Sequence, residues 1–273
     1  MNELDRAIDE LESLAEVEIV KLSEGAERSS QDESAKIGSG FEHIDGCIDG
    51  GFREGDFTII SGIPGEGKTT VCRMFTMNLA KNEVPSLWFS YEMTLRELWS
   101  SFEKMGAEKE MVSFAPVELN DDLDWMFRHI DKAIKEHGVK AVFIDTLGDV
   151  VKSVKSQSEM SNYANYLSQI CKDLRSYAIK NNIMIFAIAH AVKNTRSKTN
   201  ETDNSDIANS NGIPAAATNI FHVWREGENK TIVKIGKSRR DGTKKNWRVS
   251  FLFKDNRLIE EASASEVNKD KLW

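Results

Sequence analysis

Apolar and polar positions alternate with two different periods along the chain. Short runs rich in β-branched and aromatic residues recur at 57–60, 86–90, 140–144, 183–189, 220–224 and 247–253. Each reads as a strand, and the continuous run Ala141-Val142-Phe143-Ile144 reads as one buried on both faces. Between the runs, apolar residues return every three or four positions. Val71, Met74, Phe75 and Leu79 share one helix face, as do Leu95, Leu98, Trp99, Phe102 and Met105. Leu123, Met126, Phe127, Ile130, Ala133 and Ile134 form another stripe, and Tyr166, Leu167, Ile170, Cys171, Leu174, Tyr177 and Ala178 a fourth, on a helix predicted over 163–181. Alternating strands and helices predict an α/β fold with one large domain.

The ends differ from this middle. Leu4, Ala7, Ile8, Leu11, Leu14 and Ala15 mark an amphipathic helix, followed by a polar stretch at 23–36 that reads as a linker. Residues 1–36 are therefore expected to form a separate unit, its apolar stripe packed either on its own domain or on a neighbouring subunit. The main domain is expected over 37–260, and 261–273 as a polar tail ending Lys271-Leu272-Trp273.

The segment Gly62-Ile63-Pro64-Gly65-Glu66-Gly67-Lys68-Thr69 changes the picture from fold to chemistry. It matches G-x-x-x-x-G-K-[ST] between a strand and a helix, the context in which backbone N–H groups wrap nucleotide phosphates. The predicted nucleotide contacts are Gly62, Ile63, Pro64, Gly65, Glu66, Gly67, Lys68, Thr69 and Thr70. Lys68 is expected on the β- and γ-phosphates of ATP and the Thr69 hydroxyl on Mg²⁺. Asp145 ends the apolar strand 140–144 and is the second expected Mg²⁺ ligand. Glu92, at the end of the strand 86–90, is the predicted base that orients and deprotonates the attacking water.

Composition narrows the setting. The net charge of −8 argues against a generally basic nucleic-acid binder, although it does not locate the charges. Cys47, Cys72 and Cys171 lie apart, giving neither a disulfide framework nor a metal cluster. No apolar run approaches a membrane span, and Glu3, Asp5, Asp9, Glu10 and Glu12 are wrong for a leader. The expectation is the cytoplasm of a bacterium, or of the host for a phage protein, with no membrane partner.

Ahead of the phosphate loop stand Gly40-Phe41, Ile44-Asp45, Gly50-Gly51-Phe52 and Gly55-Asp56. This order resembles the ATPase domain of RecA-like hexameric replicative helicases, both the DnaB-type enzymes and the phage and mitochondrial primase-helicases. KaiC-like and recombinase proteins share this entry. Tyr91-Glu92-Met93 is similar to the family's Ser-Leu-Glu-Met element, and Lys237-Ser238-Arg239-Arg240-Asp241-Gly242 to its Lys-x-Arg-x-x-Gly element. The resemblance covers about 37–260 and implies a RecA-like fold with a twisted, mainly parallel central sheet. The segment 205–219 departs from the family pattern at 209–212 and at Asn219, which loosens the assignment within the family.

Several roles follow from the resemblance alone. His190, ending the strand 183–189, is implied as a γ-phosphate sensor coupled to the DNA loops. Lys237 and Arg239 are implied as cations reaching the γ-phosphate of the adjacent subunit, with Arg240 an alternative finger. Arg225 and Phe253 are implied beside the adenine. Lys193, Asn194, Arg196 and Lys198, in a polar loop running to about Asn211, are implied DNA contacts, and Lys152 and Lys155 belong to a second such loop. The implied activity is an ATP-driven, ring-forming motor, a hexamer on single-stranded DNA. Primase, polymerase or single-strand-binding protein are its implied partners. Two other readings stand beside it, a RecA/RadA-type recombination ATPase and a KaiC-like regulatory ATPase without motor activity.

Overall fold

The apolar runs become strands of a single nine-stranded sheet in the computed structural model, which describes residues 19–24, 36–151, 157–192, 199–207 and 212–265. The chain divides into two units, Met1–Ala35 and Lys36–Trp273. Of the first, residues 19–24 are described, with a helical turn at 22–24. The amphipathic stripe read in the sequence therefore lies outside the described residues, as does the end at 271–273.

In the second unit, α1 (Glu42–Cys47) precedes β1 (Phe57–Gly62), α2 (Lys68–Lys81), β2 (Ser86–Ser90) and α3 (Leu95–Lys104). A two-residue β3 (Ser113–Phe114), α4 (Leu123–His137), β4 (Ala141–Asp145), α5 (Gln157–Lys180) and β5 (Met184–His190) follow. A short α6 (Gly212–Ala216) then leads to β6 (Asn219–Glu226), β7 (Lys230–Ser238), β8 (Arg248–Lys254) and β9 (Arg257–Ser265). The sheet order is β3-β2-β4-β5-β1-β6-β7-β8-β9. The first six strands run parallel, and β7, β8 and β9 extend the sheet antiparallel. The fold is α/β with a mainly parallel sheet.

Alternate residues of the parallel strands feed two cores, which explains why these runs are apolar on both faces. Ile60, Trp88, Phe143 and Phe186 point into one, with Phe52, Phe75 and Phe102. Ile59, Phe89, Ile144 and Ile185 point into the other, with Met126, Ile130 and Leu174 of α4 and α5. Trp88, Phe143 and Phe186 are register neighbours on β2, β4 and β5, and their rings stack at 4.9 and 4.7 Å. Each such ring removed from water contributes roughly 2–3 kcal/mol.

Three details depart from the sequence reading. Helix α5 starts six residues earlier than the apolar stripe indicated, at Gln157 instead of 163. Strand β9 continues to Ser265, so the domain does not give way to a tail at 261; a backbone-paired edge strand needs only its ladder to β8, not a strong apolar run. Strand β3, a pair of residues beside Ser86 and Leu87, is too short to show a period. Among the described residues no helix is long and apolar enough to cross a membrane, and all three cysteines are free and buried.

Parallel pairing has one consequence for chemistry. The C-terminal ends of β1, β2, β4 and β5 fall on one edge of the sheet, Gly62 beside His190 and Ser90 beside Asp145. On the opposite edge, Thr58 pairs Asn219, and Asn219 pairs Ser238 at the end of β7.

Candidate active site

The phosphate loop leaves β1 at Gly62, where a Cβ would lie 2.3 Å from the Val223 carbonyl oxygen. Only a residue without a side chain lets β1 and β6 close this tightly. Gly67 has φ +95° and turns the chain through the left-handed region, so that α2 begins at Lys68 with its free amides facing the loop. Lys68 is buried and its ammonium donates to the Ile63 carbonyl at 2.9 Å. Burial lowers its pKa, against the opposing pull of the Glu92 and Asp145 carboxylates.

Thr69 and Asp145, the two expected Mg²⁺ ligands, are brought into contact. The Thr69 hydroxyl donates to Asp145 Oδ2 at 2.9 Å, while Oδ1 is buried without a hydrogen-bond partner among the described residues. Burial pushes the Asp145 carboxyl up to about 6, partly offset by the Thr69 hydrogen bond. A hydroxyl and a carboxylate with an unused buried oxygen form a hard oxygen pair that fits Mg²⁺. Arg73, one turn into α2, donates to Thr70 Oγ1 at 3.2 Å and to the Thr69 carbonyl at 3.4 Å.

Glu92 and His190 face each other from the ends of β2 and β5, with His190 Nε2 3.2 Å from Glu92 Oε1. Both line a cleft of about 290 Å³ together with Pro64, Gly65, Lys68, Thr69 and Asp145. They also line a second cavity of about 370 Å³ behind them, toward Thr146, Tyr163 and Leu167. The pair thus partitions two spaces. Glu92 lies where a base acting on water beside a γ-phosphate would lie, but its oxygen is engaged by the imidazole.

Glu66 sits within the phosphate loop yet turns its charge away from it. Its two oxygens accept from Asn200 Nδ2 at 2.7 Å and from the Arg225 backbone N–H at 2.6 Å. Arg225 lines the cleft, and its guanidinium lies 5.9 Å from the Phe253 ring centre, so the two residues implied beside adenine are neighbours.

The polar loop expected to run unstructured to about Asn211 is in part built. Lys193, Asn194, Arg196, Lys198, Lys152 and Lys155 lie outside the described residues. Residues 199–207, however, are fastened to β6, β7 and β8. Lys234, buried on β7, holds Glu201 at 2.9 Å and also Asp203, and Arg248 holds the other Glu201 oxygen. His222, fully buried, faces Asn204 Oδ1 through Nε2 at 2.8 Å and Thr202 Oγ1 through Nδ1 at 3.2 Å. The Asn204 amide donates to the Gly236 carbonyl, so its oxygen must face His222, which fixes the Nε2–H tautomer. Charged residues read as loop are here paired partners of inward-facing β-strand positions.

Lys237, Arg239 and Arg240 are not at the cleft. The Arg239 backbone N–H donates to the Thr218 carbonyl, and the Thr218 N–H to Phe57, the first residue of β1. The cations thus flank the start of β1 while the phosphate loop leaves its end, roughly 17 Å away at strand rise. Arg240, the alternative finger, pairs with the buried Asp56 at 2.7 Å. Lys237 donates to the Pro214 carbonyl, and Arg239 to those of Ala215 and Ala217. Burial first, then the nearby Arg239 and Arg175 cations, bring the Lys237 pKa down to about 8.

Sequence reasoning passed over Asn200, Arg73 and Arg175. Each is one polar residue among many in its segment, and only the fold sets it against a functional group.

The family profile of the KaiC ATPases matches residues 37–199. A probable replicative DNA helicase of Trieres chinensis is 26% identical over 232 residues, 73% of this chain and 49% of that protein. The replicative DNA helicase DnaB of Mycoplasma pneumoniae is 24% identical over 68% of this chain and 46% of its own. The DNA repair protein RadA of Haemophilus influenzae is 26% identical over 60% of this chain and 34% of its own. The chain thus spans about half, or less, of the length of these curated relatives. Among solved structures, the ATPase domain of G40P superposes with a TM-score of 0.74 at 18% identity, covering 89% of this chain and all of that one. A KaiC-like protein of Pyrococcus horikoshii gives 0.65 at 17% identity, covering 84% and 99%.

Proposed function

The chain belongs to the KaiC family of ATPases and resembles DnaB-type RecA-like helicases within that fold, and on this premise we propose that it is an ATP-driven motor that translocates on single-stranded DNA and unwinds duplex. The observation that carries the proposal is the separation of its cations. Lys68, Thr69, Asp145, Glu92 and His190 gather at one edge of the sheet, while Lys237 and Arg239 stand at the other end of β1. Within one copy they cannot act on the same phosphate, so a site containing both needs two copies.

In this reading ATP lies along the phosphate loop, with Lys68 on its β- and γ-oxygens and Arg225 and Phe253 beside the base. Thr69 and Asp145 would hold Mg²⁺, whose charge would offset that of the polyphosphate. Glu92 turns from His190 to the attacking water once a γ-phosphate offers the imidazole another partner. Lys237 and Arg239 of the next copy meet the charge spread over the transferring phosphoryl group, a task suited to a planar multi-donor cation. Copies associate as a ring, and Lys193, Asn194, Arg196 and Lys198, with Lys152 and Lys155, track the DNA backbone. Primase, polymerase or single-strand-binding protein fit as partners.

The test is ATP hydrolysis with and without single-stranded DNA, on the native chain and Arg239→Ala. Strong stimulation by DNA, abolished by Arg239→Ala, is expected; a rate indifferent to DNA would sink the motor reading. The likeness to RadA and the KaiC match favour a second reading, a recombination or regulatory ATPase. It predicts no unwinding of a forked duplex under the same conditions.

A further inference from the structure

A third cation joins Lys237 and Arg239. Arg175, in the last turns of α5, donates through Nη1 to the Ala216 carbonyl at 3.1 Å. The four consecutive carbonyls of residues 214–217 therefore collect three cations from two elements. Lys237 takes Pro214, Arg239 takes Ala215 and Ala217, and Arg175 takes Ala216. Asp56, which attracts Arg175, is itself bound by Arg240 and by the Arg53 backbone N–H.

Three like charges gathered around neutral carbonyls repel one another. Burial, and after it the neighbouring cations, lower the pKa of Lys237, and burial and Arg239 lower that of Arg175 against the opposing pull of Asp56. The carbonyls occupy part of this donor set only. A guanidinium has five N–H donors and an ammonium three, while the carbonyl contacts use one nitrogen of Arg175 and two of Arg239. What remains is a patch of converging donors, partly exposed, with positive charge in excess. Such a patch suits a multivalent, many-acceptor anion better than a single carboxylate.

We propose that Arg175 is a third cation of the site that Lys237 and Arg239 present, and that it bears on the terminal phosphate of a nucleoside triphosphate held by a second copy of this chain. This rests on the reading of Lys237 and Arg239 given above. It extends that reading from a motif on β7 to a residue of α5 that no motif marks. Helix α5 is the next α-helix in the chain after β4, so the neighbour's phosphate would then touch the helix that follows the strand carrying the copy's own Asp145.

The test uses the full chain with Arg175→Gln and Arg175→Lys, alongside Arg239→Ala. Steady-state hydrolysis in saturating single-stranded DNA, thermal unfolding, and affinity for a labelled oligonucleotide are measured for each. Arg175→Gln should lower kcat at least about tenfold, the scale of one lost donor to developing charge, with the KM for ATP within about twofold. Melting temperature and DNA affinity should be unchanged, and Arg175→Lys should recover part of the rate. Equimolar mixing with Lys68→Ala, whose own cleft is inactive but whose cations are intact, should restore hydrolysis at the Arg175→Gln copies' clefts. A kcat for Arg175→Gln within twofold of native, with Arg239→Ala inactive, overturns the proposal and leaves the parent reading standing. Full activity of Arg239→Ala removes both. A loss accompanied by a lower melting temperature and unrelieved by mixing makes Arg175 a cap on α6 and overturns the proposal. So does a loss traced to weaker DNA binding. Should Arg175→Gln fail to fold, Arg175→Lys carries the same comparison.

Discussion

Glu92 and His222 show how differently two polar side chains are placed by the same strands. Glu92 is partly open to solvent beside the phosphate loop, with His190 on its carboxylate. Replacing it with glutamine keeps the size and the hydrogen bond but removes the base. Glu92→Gln is expected to lower kcat about 100-fold or more while nucleotide affinity stays near native, read by single-turnover hydrolysis and a fluorescent nucleotide titration. His222 is sealed, and burial holds its pKa down to about 3, aided by the Lys234 ammonium. The unfolded chain takes up a proton near 6.5 that the folded one refuses. Stability from the neutral ring is therefore complete above about pH 6.5 and is lost as pH falls toward 3. Between pH 7 and pH 5 the native chain should lose about 2 kcal/mol through this group, and His222→Gln should flatten that part of the profile in urea titrations. At this scale the sequence was legible where a motif fixes spacing, as for Lys68, Thr69 and Asp145. His222 looked like any polar residue in a strand, because its partners Thr202 and Asn204 come from a distant segment.

At the scale of elements, β1 depends on its last residue. A methyl group at Gly62 would meet the Val223 carbonyl on β6, so Gly62→Ala must part β1 from β6 or bend the phosphate loop. The expected cost is about 2–3 kcal/mol, with nucleotide affinity falling alongside the melting temperature. The segment 199–207 depends on β7 in the same way. Lys234→Met preserves the buried stem but leaves Asp203 without its cation and Glu201 with Arg248 alone. A loss on the order of 3 kcal/mol is expected, with faster amide exchange concentrated at 199–207. Strand and helix periods made the parallel half of the sheet readable, since its strands are buried on both faces and mostly apolar. The antiparallel half was less so. β9 is held by its ladder to β8 while its sequence, Glu260 and Glu261 included, is polar enough to pass for a tail.

At the scale of the molecule, the proposed shared site makes activity a property of association. Hydrolysis per chain is expected to rise with protein concentration and then level off, which serial dilution in a coupled assay measures. Lys68→Ala and Arg239→Ala, each inactive alone, should regain part of the native rate when mixed, because one supplies an intact cleft and the other intact cations. Failure of the mixture, with both variants folded, would place all catalytic groups within one copy. None of this was in the hydrophobic pattern, which describes how a chain buries itself and is silent on what it leaves for another copy.

If the proposed shared site forms, the two ends of β1 also bear on the kind of assembly that can carry it. A strand with an acceptor at its tip and donors at its root is an arrow, and where each arrow serves a different neighbour from the one that serves it, the junctions are heterologous. Such arrows form either a turning circle or an open spiral, and every junction reads in the same sense. A copy lacking only its donors can still receive a neighbour but cannot serve the next one, so it acts as a terminus wherever it is inserted. One such copy would interrupt the sequence of firing around a circle, and would end the growth of a spiral.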